Sequence, residues 1–186
     1  CGAIIIDADE LAREVVLPGK PAWRGIVRQF GKSVLNADRT INRQALGAIV
    51  FSRPVKRRVL ERLIHPRVAR EQRRLTREAA KKDPSAVVIY DVPLLFEAGI
   101  NKRVDKIIVV TADQSTQITR LKNRNGLTRA EALRRIRSQM PLSEKLRKAD
   151  MVIDGTLPRT VGRKRVRSVF RALSTLASST DSPPIR

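Results

Sequence analysis

The chain has 186 residues, of which 41% are hydrophobic, so it can bury a substantial core and one domain is the default expectation. Its only cysteine, Cys1, excludes an internal disulfide and a cysteine-based zinc site, and its only histidine, His65, excludes catalysis by several histidines. The formal charge of +21 suits nucleic acid, a membrane surface or a phosphate-rich small molecule as a partner. A solvated surface shaped by a bias toward arginine codons would produce the same charge.

Two features weigh against nucleic acid as that partner. Aromatic residues make up only 3% of the chain, so the stacking platforms of single-strand binding are scarce, and the arginines are spread over several predicted helices. No apolar run reaches the roughly 20 residues of a membrane span, and no secretory signal opens the chain. We therefore expect a cytoplasmic protein with neither a nucleic-acid nor a membrane partner.

The first predicted element is a buried strand, AIIID (3–7), because its apolar run is β-branched and too short for a helix. Further strands are predicted at the start of 86–96, in DKIIVVTA (105–112) and in MVID (151–154). Helical spacing predicts the remaining elements, at 10–16, 21–31 (closed by Gly31), 42–51, 54–64, 66–82, 114–124, 128–139, 142–150 (capped by Ser143) and 159–176. The polar, proline-containing end, 177–186, is predicted to be a disordered tail.

Short apolar strands that alternate with helices predict an α/β fold with a parallel sheet. Ligands of such sheets collect at the carboxyl ends of the strands. Asp7, Asp9, Asp91 and Thr111 follow or end predicted strands, so this edge is where we expect the functional site.

The pair Asp7 and Asp9 has two interpretations. Their carboxylates point the same way if the strand continues, and they could then bind Mg²⁺ or take a proton from a substrate hydroxyl. Alternatively, Asp9 caps the helix that follows and Asp7 merely ends the strand. The fragment alone favours the capping interpretation.

Three other segments are candidates for chemistry. DVPLLFEAGI (91–100) places an aspartate directly after a strand, which resembles the acidic strand end near the Mg²⁺ of nucleoside-triphosphate enzymes. The bare pattern is more often an ordinary strand-to-loop transition. Arginines flank the glycine-containing turn of 119–139, which suits a lid that closes on phosphates but also a solvated basic face. His65 precedes Pro66, and such a pair usually ends one helix as the next begins. Catalysis by His65 as a base is the less favoured alternative.

Taken in order, IDADELAREVV, RQALGAIVF, LIHPRV, DVPLLFEAG, the arginine-rich 119–139 and KADMVID resemble the dephospho-coenzyme A kinase family over residues 1 to about 175. The resemblance implies the fold of P-loop nucleotide kinases, with a helical substrate domain and a lid at about 120–141, all within a domain of residues 1–176. It implies transfer of the γ-phosphate of ATP, with Mg²⁺, to the ribose 3′-hydroxyl of dephospho-coenzyme A, the last step of coenzyme A synthesis.

The resemblance also implies residue roles. Asp9 would be the general base and Asp7 would support the metal and substrate region. Arg120 and Arg124 would contact ATP, while His65, Asp91, Pro93 and Glu97 would line the dephospho-coenzyme A site. Oligomeric state is left open.

Residues 1–186 depart from the family pattern in one major respect. They contain no G-x-x-x-x-G-K-[ST], the phosphate loop that the family carries before the strand matching 3–7. The resemblance thus implies a truncated member, and we expect these residues alone to be inactive. Arg39 replaces a turn glycine, which we expect to be a surface change. Gly155 replaces an asparagine, which argues against an adenine or backbone contact from that loop. Another P-loop small-molecule or nucleotide kinase, or a basic nucleic-acid-binding protein, are the alternatives.

Overall fold

The structure is a computed structural model and describes residues 1–179. The chain divides into two compact units. One comprises residues 2–92, and the other comprises Cys1 with the described residues from Pro93 onward. The architecture is α/β with parallel strand pairs, which confirms the predicted class.

The first unit joins two parallel strands to four helices. Its elements are β1 (Ile4–Asp7), α1 (Ala8–Glu14), α2 (Pro21–Phe30), a 3₁₀ turn (Lys32–Val34), α3 (Arg43–Phe51), α4 (Pro54–Lys82) and β2 (Val88–Asp91). β1 pairs with β2 from Ile4 opposite Val88 to Asp7 opposite Asp91. The β-branched runs of both strands suit this pleated, half-covered ladder, which carries the two aspartates to one edge.

The core of the first unit lies among its helices. Ile26 and Val34 are fully buried, and Leu46 and Val50 pack with them. α2 approaches α4 closely at Gly25, where an added Cβ would lie 2.8 Å from a methyl carbon of Leu63. This packing holds the long helix α4 against α2.

α4 corrects one prediction. Residues 54–64 and 66–82 form one continuous helix, so His65 and Pro66 lie inside it and the predicted boundary there is wrong. Proline removes one backbone hydrogen bond from a helix. The Arg67 guanidinium donates to the carbonyl oxygen of Leu63 at 2.6 Å, which supplies a side-chain hydrogen bond next to the interruption. Packing along the helix outweighs the local preference of proline to end it.

The second unit repeats the parallel pairing. Its elements are a 3₁₀ turn (Ile100–Arg103), β3 (Ile108–Thr111), α5 (Gln114–Asn125), α6 (Arg129–Arg137), α7 (Leu142–Arg147), β4 (Met151–Asp154) and α8 (Arg159–Ser179). β3 pairs in register with β4, from Ile108 opposite Met151 to Thr111 opposite Asp154. The Asp150 carboxylate accepts from the N–H of Ile107 at 2.8 Å, which fixes the start of this ladder.

The four predicted strands and the helical spacing of most segments are confirmed. The prediction of Ser143 as a cap is wrong, because α7 begins after Pro141 without a side-chain cap. Residues 177–179, placed in the predicted tail, are helical, and 180–186 lie outside the described residues. No helix within residues 1–179 is long and apolar enough to cross a membrane.

Candidate active site

Two carboxylates share the carboxyl edge of the first strand pair. Asp7 ends β1, Asp91 ends β2, and the two are register partners. Neighbouring strands lie about 4.8 Å apart and partner side chains leave the sheet on the same side. The geometry therefore gathers two of the predicted aspartates at one place.

Asp7 and Asp9 have different environments. The strand ends at Asp7 and α1 begins at Ala8, so the alternation that would align both carboxylates is lost. Asp7 is the N-cap of α1, with its Oδ1 accepting from the N–H of Asp9 at 2.7 Å and of Glu10 at 3.1 Å. The interpretation that Asp9 caps this helix is wrong, because Asp7 does so.

The side chain of Asp9 is unengaged in the described structure. Asp9 lies in the first turn of α1 and is exposed. Its backbone N–H is held by Asp7, which fixes where the residue sits. A carboxylate placed this way can accept a proton or a hydrogen bond from a ligand without first breaking an internal contact.

His65 belongs to the same unit and lies on α4. It is exposed in the middle of α4, whose side chains Leu63 and Ile64 pack on the helical core. The ring is thus presented on a helix that the core holds in place.

The second strand pair has its own carboxyl edge. The N–H of Gly155 donates to the carbonyl oxygen of Thr111 at 2.8 Å, directly after the register pair of Thr111 and Asp154. The Arg120 guanidinium, reaching back from α5, donates to the carbonyl oxygen of Gly155 at 2.6 Å. This predicted arginine therefore lies at the strand ends, with the rest of its donor fork available.

Two aspartates at this edge are held ionised by their loops. Hydrogen bonds from the Ser115 hydroxyl and from Thr116 hold the pKa of Asp113 well below its usual range. The Thr156 hydroxyl and N–H lower the pKa of Asp154, although the charge of Asp113 acts to raise it. Both carboxylates thus serve the loops that shape the edge.

Arg124 lies one turn beyond Arg120, in the last turn of α5, and is exposed. The helix ends at Gly126, which has a φ of 65°, and α6 then opens with a capping box between Thr128 and Glu131. Both ends of the turn are therefore well defined, and the arginine-rich segment is a helical hairpin as predicted.

The sequence was compared with protein families and with known proteins. The family model described as dephospho-CoA kinase matches residues 1–158. A dephospho-CoA kinase from Geobacter metallireducens is 52% identical over 153 residues, which are 82% of this chain and 76% of the relative. One from Symbiobacterium thermophilum is 46% identical over 173 residues, covering 92% of this chain and 71% of the relative.

Two solved structures are also similar to the chain. The dephospho-CoA kinase from Campylobacter jejuni has a TM-score of 0.66 and 28% identity, covering 94% of this chain and 86% of the other. TT1252 from Thermus thermophilus has a TM-score of 0.75 and 31% identity, covering 92% and 85%. The chain belongs to the dephospho-CoA kinase family. The family is that of an ATP-dependent kinase that phosphorylates dephospho-coenzyme A at its 3′-hydroxyl, in the last step of coenzyme A biosynthesis.

Glu97, which the family resemblance assigns to the substrate site, is already engaged. Its Oε1 accepts from the N–H of Met140 at 2.7 Å and lies 3.5 Å from the ammonium of Lys145. Burial acts to raise the pKa of Glu97, but these contacts outweigh it and the pKa is lowered. Lys145 also donates to Gln139 at 3.0 Å, so the group ties the segment after α6 to the loop after β2. Pro93 lies exposed in that loop.

Sequence reasoning missed the contacts of two residues near the candidate residues of this dephospho-CoA kinase family member. Lys145 gave no signal, since it is one lysine among many on a polar helix. Gly155 was noted only as a departure from the family pattern. An added Cβ there would lie 2.8 Å from the carbonyl oxygen of Thr111, so the close approach requires glycine.

Proposed function

We propose that the chain has the fold of the P-loop nucleotide kinases, with α2, α3 and α4 as the helical substrate domain. The lid is about 120–141, which comprises the second half of α5 and all of α6. The buried cluster of the first unit and the well-capped hairpin of the second support these assignments.

The general base is Asp9. The observation that carries this proposal is that its carboxylate is unengaged beside a strand end, whereas Asp7 spends Oδ1 on two backbone N–H groups. Asp9 takes the proton of the 3′-hydroxyl as that oxygen bonds to the γ-phosphorus and the bond to the ADP oxygen breaks. General-base catalysis of this kind supplies about 10²–10⁴-fold.

Mg²⁺ fits the edge where Asp7 and Asp91 are register partners. The ion is usually bound by one or two carboxylates together with substrate phosphates and waters. Oδ2 of Asp7 and the carboxylate of Asp91 would hold the ion. No group of three or more His, Cys, Asp or Glu side chains that could hold a metal occurs within residues 1–179, so substrate phosphates and waters would supply the other ligands. When bound, the ion neutralises charge on the phosphates.

Arg120 binds the phosphates of ATP. Its guanidinium is held at the β3–β4 edge by the carbonyl oxygen of Gly155, and a planar fork held at one nitrogen still presents donors to phosphate oxygens. Arg124, one turn further along α5, adds a second phosphate contact from the lid.

The remaining residues shape the dephospho-coenzyme A site. We assign His65 and Pro93, both exposed, to contacts with this substrate. Glu97 holds the loop after β2 in place for the substrate and does not itself bind it, because its carboxylate already contacts Met140 and Lys145. We place the reaction in the cytoplasm, where ATP is supplied.

The experiment uses a fusion, because residues 1–186 contain no phosphate-loop motif. The fusion places a strand, a G-x-x-x-x-G-K-[ST] loop and a helix before residues 1–186, and ADP release is measured with dephospho-coenzyme A, AMP or CMP as acceptor. Only dephospho-coenzyme A should support turnover, and residues 1–186 alone should support none. Preference for a nucleoside monophosphate would contradict the assigned substrate, and turnover without the added segment would contradict the need for the loop.

Within the fusion, Arg120→Ala should raise the KM for ATP and lower kcat. Arginines on transferring phosphates are worth about 10³–10⁵-fold in GTPases, and we expect a smaller loss for one lid residue among several. Arg147→Ala is the matched control, since Arg147 is exposed on α7 and carries no assigned role. Equal kinetics for the two variants would remove Arg120 from the site.

A further inference from the structure

α8 carries an arginine stripe that lies outside the residues assigned to the kinase reaction. The helix begins at Arg159, one residue after the match to the family model ends, and it contains no acidic residue. We define the stripe as Arg159, Arg163, Arg167 and Arg171, all of which are exposed. We propose that this stripe binds the phosphate backbone of a nucleic-acid duplex without regard to sequence.

The helix places these side chains in one row. Residues four apart are about 6 Å apart along the axis and about 40° apart around it, so the stripe is about 18 Å long and winds through about 120° around α8. A duplex presents one phosphate charge per about 1.7 Å of its axis, or about 3.4 Å per strand. Successive arginines can therefore each meet a phosphate along one strand.

The stripe is unneutralised within the described chain. None of its members has an ion pair among residues 1–179. By contrast, α4 is also basic, but its Glu61, Glu71 and Glu78 pair with its own arginines. Like charges four residues apart, and arginines at a helix N-terminus, both destabilise an isolated helix. A bound polyanion would relieve this repulsion.

The chemistry favours duplex phosphates over other anions. Guanidinium forks match phosphate oxygens bidentately, and the stripe is all arginine. α8 exposes no aromatic side chain for base stacking, since Phe170 is half-buried. Val169 is buried and Leu173 half-buried, whereas Val161, Val166 and Leu176 are exposed. Charged residues separate these three along α8, and none is aromatic, so the helix lacks the broad Trp-, Phe- and Leu-rich apolar face of a membrane-surface helix. In the sequence the arginines are spread over several predicted helices, whereas α8 brings four of them onto neighbouring turns.

The test measures binding of residues 1–186 to a labelled DNA or RNA duplex of about 20 base pairs, by fluorescence anisotropy over a range of salt concentrations. Non-specific duplex binding has a Kd of about 10⁻⁶–10⁻⁴ M and a slope of log K against log salt of about −0.9 per phosphate contact. The variant Arg163→Ala, Arg167→Ala, Arg171→Ala should reduce the magnitude of that slope by about 2.7 and weaken binding at low salt roughly tenfold or more.

The matched control removes the same charge from α4, at Arg70, Arg73 and Arg77, which are also exposed. It should keep the slope of the unmodified chain, and circular dichroism should show both variants folded. Equal losses in the two variants would assign binding to net charge and overturn the proposal. Absence of duplex binding, or binding to vesicles of anionic phospholipid in preference to the duplex, would overturn it as well.

Discussion

Asp7 and Asp9 stand two residues apart, and the structure predicts that mutating them separates stability from catalysis. Asp7 caps α1 through two hydrogen bonds, of 2.7 and 3.1 Å, whereas the side chain of Asp9 caps nothing. Asp7→Ala should therefore lower the free energy of unfolding by about 1 kcal/mol. For a chain of this length that corresponds to a melting temperature lower by about 2–4 °C. Asp7→Asn keeps an acceptor oxygen and should restore most of the loss.

Asp9→Asn should have the opposite profile. It loses only part of the favourable interaction of a carboxylate with a helix N-terminus, about 0.3–1 kcal/mol. In the fusion that carries a phosphate loop, it should lower kcat by about 10²–10⁴-fold with little change in substrate binding.

Thermal melts and steady-state kinetics on the same preparations measure both effects. A normal kcat for Asp9→Asn would refute the assignment of the base, which would then be sought at Asp7 or Asp91. An unchanged melt for Asp7→Ala would show that the two hydrogen bonds contribute nothing net to stability.

Two further variants test the packing of the second unit. Gly155→Ala should destabilise the chain by about 1–3 kcal/mol in denaturant melts, because its Cβ would lie 2.8 Å from a carbonyl oxygen of β3. Gly162→Ala is its control and should stabilise by about 0.5–1 kcal/mol, since it meets nothing within 4 Å inside α8, and equal effects would contradict the close approach. The lowered pKa of Glu97 adds stability that is present above the ordinary glutamate value of about 4.3 and is lost as the pH falls through the lowered value. Glu97→Gln should therefore flatten the acid side of the stability profile measured by melts at several pH values, and an unchanged acid side would contradict this contribution.

The sequence by itself determined the strands, most helices and the family. Each strand is a short β-branched run, a pattern that a few neighbouring residues define. The order of motifs from IDADELAREVV to KADMVID carried the resemblance that the family match over residues 1–158 confirms. It also placed Asp7, Asp91 and Thr111 at strand ends, because parallel strands in an α/β chain bring their carboxyl ends together.

Only the tertiary structure decided which of these groups are free. Whether Asp7 or Asp9 caps α1 depends on a strand end set by pairing with β2, more than 80 residues away in the chain. Glu97 gains its partners from residues 43 and 48 positions later, and local sequence carries no information about such contacts. The same holds for Pro66, because packing along α4 overrides a local preference of proline to end helices. Hydrogen bonding and burial between distant segments decided what each side chain does, since those energies arise only when the chain has folded.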